Sequence, residues 1–117
     1  MKSDDRSNAL AIGQGIYFAA TGVWPLIDMR SFEAVTGPKV DKWLVRTVGV
    51  LVAAIGGALI SAGVRRAVTP EIAGLAVSSA AGLGAIDIIY SGKGRISKIY
   101  LADAAAEAAL IAAWTLP

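Results

Sequence analysis

The chain has 117 residues, 56% of them hydrophobic and 17% charged, with 11 Lys and Arg against 9 Asp and Glu. Soluble domains carry about 45–50% apolar and about 25% charged residues, so this balance, with a mean hydropathy of +0.61, excludes disorder and argues for a membrane-embedded chain. Neither Cys nor His is present, which excludes a disulfide scaffold and ordinary zinc, haem or thiol chemistry, so no metal and no cofactor is expected.

Four apolar runs are long enough to cross a hydrocarbon core of about 30 Å, at about 9–27, 43–64, 72–90 and 99–116. The first is too long for the apolar stretch of a signal peptide, and Asp4 and Asp5 dilute its basic start, so it reads as a membrane helix. The connection from 28 to 42 is the longest, and Ser31 to Val35 within it suits a short interfacial helix. Gly37 and Pro38 read as the start of the second span. Thr69, Pro70 and Glu71 read as N-cap, first helical residue and early acid of the third. Gly92 and Gly94 suit its end, and Ser97 suits the cap of the fourth. Short links favour antiparallel neighbours. The expected fold is therefore all-α, an integral membrane antiparallel four-transmembrane-helix bundle, with 1–117 as one domain.

Seven basic residues, Arg30, Lys39, Lys42, Arg46, Lys93, Arg95 and Lys98, fall at one end of such a bundle, and Lys2, Arg6, Arg65 and Arg66 at the other. The richer end belongs in the cytoplasm, which puts both termini outside it and suggests a bacterial inner membrane. Trp24, Trp43, Tyr90 and Tyr100 at the richer end and Trp114 near the other suit interfacial belts, and the basic loops suit anionic lipid headgroups. Membrane contact accounts for the net charge of +2, and no nucleic-acid partner is expected. Small residues every four positions, Gly49, Ala53, Gly57 and Ser61, then Gly74, Ser78 and Gly82, then Ala102, Ala105, Ala109 and Ala113, read as helix-packing seams. The alternative is a contact face for a second copy or another membrane protein.

Ionisable groups at membrane depth tend to face a bundle interior or a wet cavity. Arg46, Asp87, Asp103 and Glu107 all fall toward the more basic end and are expected to converge there. Asp103 and Glu107 are four apart and share a helix face. Gln14, Tyr17 and Thr21 form a matching stripe on the first span, continued by Trp24. Together Gln14, Tyr17, Arg46, Asp87, Asp103 and Glu107 read as the lining of a ligand pocket for a small cationic or lipid-like molecule. Interfacial salt bridges, and a hydrogen bond from Glu107 to Gln14 or Tyr17, give the competing structural account. No His stands ready to activate a Ser or Thr, so covalent catalysis has no visible machinery. Carboxylate acid–base chemistry on a lipid-soluble substrate stays open, as does a role as accessory subunit of a membrane complex.

The stretch Trp24-Pro25, Ser31-Phe32-Glu33, Thr36-Gly37-Pro38-Lys39 and Trp43-Leu44-Val45-Arg46-Thr47-Val48-Gly49 resembles small bacterial four-helix membrane proteins. The Arg46, Gly49, Gly56 spacing is similar to the helix starts of DoxX-like proteins, a four-helix class of heterogeneous activity. Size and helix count also resemble the small multidrug resistance transporters, but their motif places a glutamate in the first helix where this chain has Gln14. The EXPERA sterol-isomerase bundle, with paired acids in an aromatic pocket, is similar in design. None of these resemblances carries over a functional residue.

Overall fold

The computed structural model describes residues 4–39, 41–92, 94 and 98–116. They form five helices, α1 (Asp5–Ile27), α2 (Met29–Thr36), α3 (Lys42–Val64), α4 (Pro70–Gly92) and α5 (Tyr100–Thr115), with no strand among the described residues. α1 starts earlier than hydropathy alone indicates because Asp4 caps it, accepting a hydrogen bond from the Ser7 amide at 2.7 Å. Asp28 ends one helix and starts the next: its amide donates to the Trp24 carbonyl at 2.9 Å and its carboxylate accepts from the Ser31 amide at 3.2 Å. α2 is the expected short helix. Gly37 closes it, at φ 99° and with its amide donating to the Glu33 carbonyl at 2.8 Å, and does not open α3, which begins at Lys42 instead. α4 begins at Pro70 as its sequence predicts, with Thr69 Oγ1 accepting from the Ile72 amide at 3.2 Å. Gly94, at φ 72°, turns the chain beyond α4. Ser97, Lys93 and Arg95 lie outside the described residues.

α1, α3 and α4 are 23 residues each, with window hydropathies of 1.4, 2.1 and 1.8, so these three are long and apolar enough to span a membrane. α5 has 16 residues and rises only about 24 Å, less than a hydrocarbon core of about 30 Å. Large apolar side chains cover the outside: Ile16, Val50, Leu51, Ile86 and Ile88 are all more than half exposed. Acyl chains accept such a surface, and water does not.

α1 packs along α3, α4 packs along α5, and the two pairs touch more lightly. The α1–α3 seam is antiparallel and brings the two backbones into direct contact. A Cβ on Gly22 would lie 2.6 Å from the Gly49 carbonyl oxygen, one on Gly56 2.7 Å from that of Gly15, and one on Gly63 2.7 Å from that of Asn8. The seam therefore repeats every seven residues, not every four. Four residues advance about 40° beyond a full turn whereas seven fall only about 20° short of two turns, so Gly57 and Ser61 rotate off the face that Gly49 begins. Both are exposed. On α4 the buried side is Ala76, Ala80, Gly84, Asp87 and Ser91. The expected Gly74, Ser78 and Gly82 stripe, two positions back and about 200° round, faces outward. On α5 Ala104 and Glu107 are buried while Ala102, Ala105 and Ala109 are exposed.

Polar ties join the two pairs. The buried Gln14 side chain donates to the Ala76 carbonyl at 2.9 Å and accepts from Trp114 Nε1 at 2.8 Å, linking α1 to both α4 and α5. Arg6 donates to the carbonyls of Ala113 and Leu116, satisfying orphan acceptors at the C-terminal end of α5. Arg66 pairs with Asp5 at the same end.

Candidate functional site

Between the two helix pairs lies a cavity of about 750 Å³. Tyr17, Phe18, Thr21 and Trp24 on α1 form one wall, and Val45, Val48 and Val52 on α3 another. Tyr100, Asp103, Ala106 and Glu107 of α5 face them, and Phe32, Val35 and Thr36 of α2 cover the end nearest the α2–α3 link. The walls are mostly hydrocarbon and aromatic, with the carboxylates gathered on the α5 side.

Helical spacing puts those carboxylates together. Asp103 and Glu107 are one turn apart, and Tyr17 reaches across from α1 to donate its hydroxyl to Asp103. Asp87, buried on α4, comes within hydrogen-bond reach of Asp103 from the other side. Gly84 makes room for Glu107, since a Cβ there would stand 3.3 Å from the Glu107 Cβ. Glu107 is 1% exposed, and neither of its carboxylate oxygens has a hydrogen-bond partner; Asp87 Oδ2 has none either. A bare carboxylate away from water is costly, and a proton or a cation relieves the cost. Among the described residues no group of three or more His, Cys, Asp or Glu is placed to hold a metal ion.

Of the six residues expected at the site, Tyr17, Asp103 and Glu107 line the cavity, and Asp87 stands behind Asp103. Gln14 and Arg46 do not line it. Gln14 is saturated by Ala76 and Trp114, so the expected hydrogen bond between Glu107 and Gln14 or Tyr17 is replaced by Gln14 to Trp114 and Tyr17 to Asp103. Arg46 is exposed and forms no ion pair with the acids among the described residues. Its depth along α3 is right, but it is two residues from the cavity-lining Val48 and so about 200° round the helix from it.

The sequence places Lys39 among the basic interfacial residues and not at the site, whereas the structure puts it on the cavity wall. Its ammonium donates to the Thr36 and Gly37 carbonyls at 3.0 and 2.8 Å and lies 5.7 Å from the Phe32 ring centre and 5.2 Å from that of Tyr100. A lysine two residues beyond a glycine helix stop is well placed to bind the last carbonyls, and that was the available signal. The α3 wall carries no comparable signal, because valines facing a cavity and valines facing lipid look alike. In comparisons with known proteins, no family model, no curated protein and no solved structure matches the chain.

Proposed function

We propose that the chain is a four-helix integral protein of the bacterial inner membrane that binds or transports a small cationic or lipid-like ligand in the cavity between α1, α3 and α5. In this reading α5, at 16 residues, is a short fourth crossing around which the bilayer thins, and both termini lie outside the cytoplasm, opposite the more basic loops, which rest on anionic headgroups. Asp103 and Glu107 partner the positive charge, and the aromatic walls add cation–π attraction. The observation that carries this reading is the Glu107 carboxylate, buried just behind the cavity wall with both oxygens unpartnered. A purely structural carboxylate would be satisfied by neighbouring donors, as Gln14 is.

The test uses purified protein in lipid nanodiscs and tetraphenylphosphonium as probe. Wild type binds it, and Glu107→Gln and Asp103→Asn each weaken binding by about tenfold or more. Equal affinity in all three proteins would sink the assignment. The outward Gly74, Ser78 and Gly82 stripe on α4, with open space over both glycines, supports a second reading as an accessory subunit packed against another membrane protein or a second copy. Cross-linking in native membranes from α4 that recovers no partner counts against it.

A further inference from the structure

The cavity is covered at its α2 end and open on its flank. At the α2 end, Phe32 packs edge-on against Trp24 at 5.3 Å, and Trp24 Nε1 donates to Ser31 Oγ at 2.8 Å. Lys39 then ties the α2–α3 link to the start of α5 through the Tyr100 ring. This roof covers the α2 end of the cavity. On the flank, α3 and α5 line the cavity from either side without packing closely on each other. Leu44 and Val48 belong to the cavity wall and remain 46% and 44% exposed, so the surface along this flank is open. In the membrane setting proposed above, acyl chains cover that surface.

We infer that the ligand is a single-chain lipophilic cation that reaches the cavity sideways from the bilayer, between α3 and α5, and seats its alkyl chain on the valine wall of α3 with its head at Asp103 and Glu107. The inference rests on the proposed cation site and adds the ligand's tail and its route. A cavity of about 750 Å³ falls within the size range of drug-sized ligand sites, about 300–1,000 Å³, whereas a small hydrophilic cation would leave most of the apolar wall unused. Charge complementarity selects the head: the wall's acidic groups are Asp103 and Glu107, and the nearest cation lining the cavity, Lys39, is already engaged with two carbonyls and two rings. A hydrocarbon tail loses little by leaving lipid for an apolar wall, so the tail holds the cation in the bilayer beside the opening, where a head alone does not collect, and the carboxylates select among lipophilic molecules.

Binding of dodecyltrimethylammonium is measured in nanodiscs, with its concentration in the lipid calibrated on protein-free discs. Tetramethylammonium, which carries the head alone, and dodecanol, which carries the tail alone, serve as competitors. Dodecyltrimethylammonium is expected to bind one to one, and each competitor to need roughly a hundredfold higher concentration to displace it. Val48→Trp, which fills the tail seat, weakens binding by about tenfold or more, while Val50→Trp on the outward side of α3 leaves it unchanged. Val52→Phe makes a smaller change on the same wall and decides the matter if Val48→Trp does not fold. Equal potency of tetramethylammonium, equal potency of dodecanol, or full binding in the wall variants each overturns the inference. If dodecyltrimethylammonium and tetraphenylphosphonium both fail to bind wild type, the cation site itself falls and the inference with it.

Discussion

Against α3, α1 presents Gly15 and Gly22, and the backbones approach until a single methyl group would strike a carbonyl oxygen at 2.6–2.7 Å. Against α5, the same helix presents Tyr17, Thr21 and Trp24, and the helices stand apart around about 750 Å³ of space. Small residues give van der Waals contact along a whole helix where burial from water supplies no drive. Large residues hold a gap open and line it. α1 and α3 thus form the closely packed half of the molecule, and the unpartnered carboxylates Asp87 and Glu107 lie where α4 and α5 touch that half more lightly.

The largest expected effect breaks the closely packed side. Gly56→Leu, or Gly22→Leu, drives a side chain into the backbone of the partner helix, and a stability loss of about 3 kcal/mol or failure to fold is expected. Gly57→Ala and Gly82→Ala, with nothing within 4 Å of a new Cβ, should be neutral or stabilise by up to about 1 kcal/mol. Unfolding in mixed detergent and SDS micelles measures both. Comparable losses at positions 56 and 57 would mean the seam follows the four-residue spacing after all.

Gln14 is the fastener between the halves, and its removal is the next effect in size. Gln14→Leu keeps the volume but leaves the Trp114 indole N–H without its acceptor, for an expected loss of about 1–2 kcal/mol in the same measurement. The matching change in Trp114 fluorescence reports whether α5 has moved. A stability loss below about 0.5 kcal/mol would show that α5 is held by Arg6 and its packing on α4 instead.

The same contrast explains what the sequence could announce. Asp103 and Glu107 on one face, Tyr17 and Thr21 opposite them, the α2 segment, and the Thr69-Pro70 start are local patterns, governed by helical period and capping chemistry. The seam was harder, because Gly49 and Ala53 satisfy a four-residue reading while Gly49, Gly56 and Gly63 satisfy a seven-residue one, and only the partner's Gly15 and Gly22 decide between them. Arg46 and Gln14 fail for a related reason. Depth along a helix follows from counting residues, but which way a side chain faces depends on the neighbour. The cavity's α3 wall follows from α3 and α5 not closing on each other, a property of the assembled helices that no single segment encodes.

The smallest effect lies at the opposite end from the α2 roof, and it tests whether α1 transmits a disturbance to either of its faces. The Ser7 backbone amide, and after it the Ser7 side chain, hold the exposed Asp4 carboxyl below the usual aspartate range. A carboxyl lowered on folding stabilises the folded chain above its unfolded pKa, and that stabilisation is lost as pH falls through the lowered, folded value. Wild type should therefore show slower amide exchange in the first turn of α1 than Asp4→Ala at neutral pH, with the gap closing as pH falls through the lowered aspartate value. Asp4→Asn, which keeps an accepting oxygen but cannot titrate, should hold its protection across the range. Because the group is fully exposed, added salt also trims the ionic part of the effect. The fraying should stop within the first turn, since from Asn8 onward α1 is clamped against Gly63 and the seam beyond it. Loss of probe binding in Asp4→Ala would show instead that the two faces of α1 answer to its N-terminal end, and that the closely packed half is less rigid than its glycines imply.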